Sequence, residues 1–292
     1  MRLSTSLPTD YRGVPDIAKA RHLEQLGYDA AGMADVIIGD GTPGADPALT
    51  LAAVAAVTER IGLEFGVLSL PLRPVAWVAS QVQTLQQLSG GRVVLGVGIG
   101  GFPGSPFWRA VGAPATGRGR WTDAALRALP DLIAGRPTLV GETEVTLGPA
   151  AAVPPILVGG NSEAAMRRAI LYGDGWAPSL ITPAGLAAKV ARLRELAEEL
   201  GRPVPQVSVG GHAILVDDRA ALESFVASLT GPHGMPEEVA RDIPVTGGAE
   251  RVAERLAAYA EAGADAVGLG LDGGEWMRQA ETLAQARALL TG

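Results

Sequence analysis

Leu88-Ser89-Gly90-Gly91-Arg92-Val93-Val94-Leu95-Gly96-Val97-Gly98-Ile99-Gly100-Gly101 is the stretch whose reading decides the fold. Ser89-Gly90-Gly91 is a turn that ends a helix, because glycine enters the left-handed conformation at low cost. Residues 93–97 form a short apolar run rich in β-branched side chains, the pattern of a strand buried on both faces of a parallel sheet. Gly98, Gly100 and Gly101 then open the backbone at that strand's carboxyl end, where parallel α/β folds bind ligands. Gly96 to Gly101 partly imitates the dinucleotide fingerprint G-x-G-x-x-G. That motif must open a helix at once. Here Phe102-Pro103-Gly104-Ser105-Pro106 follows instead, and the stretch lies far from the N-terminal strand.

Outward from this strand, the same alternation runs along the chain. Periodicity predicts strands at 3–8, 28–33, 63–68, 93–97, 155–158, 175–177, 207–216 and 266–269. Helices are expected at 16–26, 47–60, 75–88, 162–171, 183–200, 220–229, 249–262 and 275–290. The helix at 183–200, for example, carries Leu186, Val190, Leu193, Leu196 and Leu200 on one stripe. A short pattern recurs: Leu26-Gly27-Tyr28-Asp29-Ala30 resembles Ala262-Gly263-Ala264-Asp265-Ala266, with a looser copy in Tyr172-Gly173-Asp174-Gly175-Trp176. In each, a helix stops at glycine and a strand follows almost at once, as in βαβ units. Eight strands alternating with helices predict an α/β fold, a (β/α)8 TIM barrel spanning 1–292 as one domain. The interval 101–153 breaks the rhythm, with a helix at 122–133 and a hairpin about Gly141-Glu142. It reads as an insertion between strands 4 and 5. The segment 230–246 reads as a long mobile loop.

Composition narrows the function. Aromatics are only 4% of 292 residues while hydrophobic residues are 47%, so the core must consist mostly of small and branched aliphatic side chains. A net charge of −7, with no basic stripe, argues against nucleic acid. The absence of cysteine excludes disulfides, thiolate catalysis and cysteine-ligated metals. No signal peptide or membrane-length apolar run is evident, so a cytoplasmic location is expected.

Function in such a barrel sits at the carboxyl ends of the strands. Those ends carry Asp35, then Ser69 and Arg73, then Gly98 to Gly101, then Gly159, Gly160, Asn161 and Ser162, then Trp176 and Ser179. Ser162 is placed to cap the following helix. Free N–H groups and the helix dipole there suit a phosphate, which Glu163 in the first turn would partly offset. Asp35 is a candidate catalytic or turn residue. Ser69 and Trp176 are candidates for the substrate pocket. His22 reads as surface. His212 either points into the barrel or is a core histidine, and His233 lies in the loop. No cluster has metal-ligand spacing, so no metal is expected. Arg118 and Arg120, just before a helix, read as solvated loop residues that could meet an anionic tail.

Three stretches, in order, resemble the luciferase-like flavin- or deazaflavin-dependent oxidoreductases: Gly66-Val67-Leu68-Ser69-Leu70-Pro71-Leu72-Arg73-Pro74, the opening L-S-G-G-R-x-x-L-G-V-G-x-G, and Pro154 to Ser162 continuing to Trp176. The resemblance implies FMN or coenzyme F420 across the barrel mouth, with a small organic substrate reduced by hydride transfer or monooxygenated. It places the ring near strands 2–4 and a non-proline cis peptide at Gly66-Val67. It assigns phosphate contacts to Gly98, Ile99, Gly100 and Gly101 and to Gly159, Gly160, Asn161 and Ser162. A homodimer and a separate flavin or F420 reductase belong to the same expectation. One departure matters. Many members follow the acidic residue after strand 2 with histidine, and here Asp35 is followed by Val36. Two other readings remain open: a phosphate-binding isomerase or aldolase barrel, which would need a Lys or Glu at a strand end, and a flavin-binding barrel without catalysis.

Overall fold

The computed structural model describes residues 1–231 and 234–290. The elements follow in chain order: β1 (Arg2–Ser6), α1 (Ala18–Gln25), β2 (Ala30–Met33), α2 (Pro47–Val57), β3 (Gly62–Ser69), α3 (Val75–Ser89) and β4 (Val93–Gly98). Next come α4 (Pro106–Ala110), α5 (Arg118–Ile133), the hairpin β5 (Thr138–Val140) and β6 (Thr143–Val145), β7 (Ile156–Gly159), α6 (Glu163–Tyr172), β8 (Gly175–Ala177) and α7 (Pro183–Glu199). The chain continues through β9 (Gln206–Ile214), α8 (Arg219–Thr230), α9 (Glu237–Asp242), β10 (Val245–Thr246), α10 (Ala249–Glu261), β11 (Ala266–Leu271) and α11 (Trp276–Leu289).

Eight strands pair in parallel in the order β9-β11-β1-β2-β3-β4-β7-β8, and β8 pairs back onto β9. The sheet therefore closes into the expected (β/α)8 barrel. The core lies mainly between strands and helices, where Leu63, Leu95, Leu129, Leu186 and Leu256 are fully buried. No helix among the described residues is long and apolar enough to cross a membrane.

The recurring glycine–aspartate turns have a common job. Asp29 accepts the N–H of Leu3 at 2.7 Å, Asp174 that of Ile156 at 2.8 Å, and Asp265 that of Val207 at 2.8 Å. Each carboxylate, sitting just before one strand, caps the start of its neighbour and sets their register at the bottom of the barrel. Arg92, from the opening stretch, works at the same end. Its guanidinium donates to the carbonyls of Ala55, Thr58, Ile61 and Ser89. The helix before it ends at Gly90, whose φ of 66° is left-handed as the turn requires.

One expectation fails here. The segment 230–246 is structured over most of its described length, holding α9 and the two-residue β10, which pairs Val245 with Ala213 of β9. α9 is a single short stretch that buries Ala240, with Ile243 just beyond it, too brief to leave a readable period. His233 lies outside the described residues.

Candidate functional site

In a strand, alternate side chains face opposite sides. Here nearly every inward position toward the top of the barrel is small: Ser6 and Gly32, Gly66 and Gly159, Ala177, Gly210, Gly268 and Gly270. The consequence is a cavity of ≈ 330 Å³ that opens at the carboxyl ends of the strands and runs down to Ser4, Glu64 and Ser208.

Its wall on the β3 side is built around Val67. The Gly66–Val67 peptide is cis, as the resemblance implied, and the β3–β4 register shifts between Phe65 and Leu68. A Cβ on Gly98 would lie 3.1 Å from the Val67 side chain, and one on Gly159 3.2 Å. Glycine at both positions gives Val67 its seat. At Gly66 a Cβ would meet nothing within 4 Å, so the backbone there is open to a ligand. Gly100 has φ +77°, and a Cβ on it would strike the Trp108 ring at 2.5 Å. The loop of Gly98, Ile99, Gly100 and Gly101 is held from outside by Arg118, which donates to the carbonyls of Ile99 and Gly100 and stacks 5.9 Å from the Trp108 ring. Arg118 lies in the first turn of α5 rather than in a solvated loop.

β4 and β7 are neighbours, Val97 opposite Val158, so the Gly159-Gly160-Asn161-Ser162 turn lies beside that loop. Ser162 caps α6 by accepting the Ala165 N–H at 3.2 Å. Asn161 is spent on structure: its amide donates to the Ser179 carbonyl at 2.7 Å and accepts the Ser179 N–H at 3.0 Å. The Gly160 N–H goes to Ala177 at 3.2 Å. No backbone acceptor among the described residues takes the N–H of Gly100, Gly101, Asn161 or Ser162. Glu163 offsets an anion here less than the sequence suggests. Arg192 and Arg167 pair with its carboxylate and balance its charge, and Lys189 reaches the Asn161 carbonyl at 2.9 Å.

Three candidates move away from the site. The Asp35 side chain is 0% exposed and makes a fork with Arg73 at 2.6 and 2.9 Å, while also accepting the Ser69 N–H at 2.9 Å. Both oxygens are committed to tying the end of β2 to the end of β3, so Asp35 serves as a clasp between the two strands. Ser69 is buried in that clasp and does not line the cavity. Trp176 is fully buried on the helix side of β8, its indole N–H donating to the Gly160 carbonyl at 2.8 Å. Strand alternation makes the next residue, Ala177, the wall.

Two further groups face the cavity. His212, at the upper end of β9, lines the cavity rather than the core, and its Nδ1 lies 2.7 Å from Asp272 Oδ2. Its ring also packs 4.9 Å from Phe225. A carboxylate on Nδ1 fixes the imidazole so that Nε2 is the nitrogen left to handle a proton. Glu64 faces inward from the middle of β3, and its burial pushes the carboxyl above its ordinary value, against a hydrogen bond from Ser4 and the charge of Arg2. It is half-buried in the barrel wall and lines the floor of the cavity. A charged residue inside an otherwise apolar strand was the available signal for it. Among the described residues no group of side chains could hold a metal.

A model of the luciferase-like monooxygenase family matches residues 8–232. The chain belongs to that family. Its members and structural neighbours are oxidoreductases or monooxygenases. An uncharacterized protein of Mycobacterium tuberculosis is 36% identical over 173 residues, 57% of this chain and 59% of that protein. The match thus spans somewhat more than half the length of that relative. The 4-hydroxyprotoasukamycin monooxygenase of Streptomyces nodosus subsp. asukaensis is 38% identical over 88 residues, 30% of this chain and 24% of the enzyme. Among solved structures, an F420-dependent secondary alcohol dehydrogenase in complex with an F420-acetone adduct superposes with a TM-score of 0.84 at 17% identity, covering 99% and 98% of the two chains. The FMN-bound oxygenating constituent of 3,6-diketocamphane monooxygenase from Pseudomonas putida gives 0.75 at 16% identity, covering 98% and 96%. Both share the family's barrel.

Proposed function

We propose that the chain is a flavin- or deazaflavin-dependent oxidoreductase acting on a small organic substrate held in the barrel cavity. The observation that carries this reading is the cavity itself: open backbone at Gly66 beside the Val67 shelf on one side, and an oriented imidazole, His212 on Asp272, on another. Reduced FMN and coenzyme F420 fit the residues present. Open backbone at Gly66 and Gly101, where an added Cβ would meet nothing within 4 Å, leaves room for close approach. The N–H groups of Gly100, Gly101, Asn161 and Ser162, at the positive end of α6, suit a phosphate. The relatives whose names mention F420 or FMN support the same pair of cofactors.

Bound there, such a cofactor supplies hydride transfer or, for FMN, oxygen activation. The chain's own residues do the rest. Val67 and its flanking glycines form a shelf against which a flat ring can lie. The closed barrel below excludes bulk water. His212 Nε2 gives or takes the proton that the reaction requires, in place of the histidine that many relatives carry after β2. A homodimer, a separate reductase and a cytoplasmic location belong to the same proposal. The aldolase alternative lacks its nucleophile: Lys19 and Lys189 sit on α1 and α7, and neither lines the cavity.

The test is titration of the purified protein with FMN and, separately, with F420, followed by tryptophan fluorescence and cofactor absorbance. Saturable micromolar binding of one cofactor is expected. Folded protein that binds neither would overturn the proposal.

A further inference from the structure

Below the mouth, the barrel is hollow and carries one acid. Barrels of this size are normally filled by layers of branched side chains. At the level of Glu64, the inward neighbours are Ser4, Ser6, Gly32, Ser208 and Gly268, none larger than a hydroxymethyl group. Strand register brings them together. Gly32 pairs with Glu64 on one side and with Ser6 on the other, and Ser4 pairs with Gly268. A Cβ on Gly268 would lie 2.6 Å from Ser4 Oγ, so the glycine preserves that hydroxyl's space. Glu64 shares a hydrogen bond with Ser4, and the one cation acting on it, Arg2, is bonded to Gln206 at 2.6 Å. Among the described residues no lysine, arginine or histidine forms an ion pair with Glu64.

An enclosed carboxylate without a counter-ion is costly, and a partner that brings the opposite charge relieves that cost. At the level of Glu64 the polar side-chain atoms facing the cavity are oxygens, from the Glu64 carboxyl and the Ser4, Ser6 and Ser208 hydroxyls, while the His212 imidazole lies higher, toward the mouth. An ammonium group has three donors and no acceptor, so it matches this set. An anionic guest would meet like charge, and a neutral alcohol would offer a single donor and no charge. We infer that the lumen seats a protonated amine on Glu64, which makes Glu64 the residue that selects small organic amines as substrates. The cavity of ≈ 330 Å³ suits a small organic guest. The inference rests on reading this cavity as the substrate chamber. The amine anchors at the floor, and the rest of the guest reaches toward Val67 and His212 at the mouth.

The experiment is a calorimetric titration of the full-length protein, with and without cofactor, using n-butylamine, 1-butanol and butyrate at neutral pH. The three probes have one chain length and differ in head-group charge. Wild type is expected to bind butylamine at least about tenfold tighter than butanol, with butyrate weakest. Glu64→Gln should bring butylamine down to the level of butanol. Butanol binding as tightly as butylamine in wild type overturns the inference, as does an amine preference that survives in E64Q. If E64Q does not fold, the wild-type series alone still decides between those outcomes. Titrations with FMN and F420 on the same samples keep the two readings apart. Cofactor binding without amine preference sinks this inference alone, and amine preference without cofactor binding sinks the oxidoreductase reading alone.

Discussion

Removing Arg73 should unfold the protein far more readily than removing a surface charge. Arg73 is 15% exposed and holds an Asp35 side chain that is 0% exposed. In Arg73→Met the carboxylate keeps one donor, the Ser69 N–H at 2.9 Å, and loses its fork. Breaking a buried pair by deleting one partner costs about 3–5 kcal/mol. The second contact of Arg73, with the part-exposed Asp46 at 3.5 Å, adds at most about 1 kcal/mol. For a chain of this length each kcal/mol lowers Tm by about 2–4 °C, so a drop of about 6–20 °C is expected. Asp35→Asn should cost less, because the amide oxygen still accepts from Ser69 and Asp46 still faces Arg73. The double variant should be less harmed than R73M, since no buried charge is left alone. Thermal melts by circular dichroism read the stabilities. Turnover with reduced cofactor, measured below every midpoint, reads the function. R73M within 1 kcal/mol of wild type would refute the clasp. Folded D35N without turnover would return Asp35 to the chemistry.

His212→Asn should lower turnover about 10²- to 10⁴-fold with cofactor affinity unchanged, and Asp272→Asn should do so more mildly; steady-state pH profiles that keep the wild-type limbs in both variants would remove the dyad from the mechanism. Gly96→Ala places a Cβ 2.1 Å from the Phe65 carbonyl oxygen, an overpacking expected to cost about 1–3 kcal/mol in denaturant titration. Glu64 has a sign that can be checked. Its carboxyl is raised by burial above the ordinary 4.5, so the folded state holds its proton where the unfolded state has lost it. The favourable contribution is complete below pH 4.5 and fades as pH rises through the elevated value. E64Q should therefore melt higher than wild type at neutral pH and converge with it in acid, as melts across pH would show. Trp176→Phe deletes the 2.8 Å bond to Gly160 and should cost about 0.5–1.5 kcal/mol in the same melts.

The barrel was legible because its signals are local. Gly90 and Gly91 stop a helix, residues 93–97 are uniformly apolar, and the glycine–aspartate turns repeat wherever a helix hands over to a strand. The cavity wall was legible in part, because Gly66, Val67 and Gly159 reach the cavity at strand ends that periodicity can locate. What sequence could not rank was the direction in which a strand-end residue points. Trp176 and Ala177 are adjacent, and a one-residue phase decides which of them is wall. Asp35 looked catalytic because its partner Arg73 is 38 residues away, a pairing that only the closed barrel creates. His212 and Asp272 are separated by 60 residues and come together for the same reason. Glu64 was visible as an acid in an apolar strand, but its meaning depends on the small residues contributed by β1, β2, β9 and β11.

Arg92 gives the opening stretch a double life. It clamps four carbonyls at the bottom of the barrel, while Gly98 to Gly101, only a strand's length away, follow the carboxyl end of β4. Six residues of β4 thus separate a fastening from the loop proposed to meet the cofactor. Damage at the two ends should be told apart by how much protein a cell accumulates. Loss of Arg92 depletes the chain before any ligand matters, whereas a bulky side chain at Gly101, where nothing crowds the backbone, leaves a full complement of idle protein. A laboratory that selects variants for yield alone would keep the lower half of the motif and let the upper half drift.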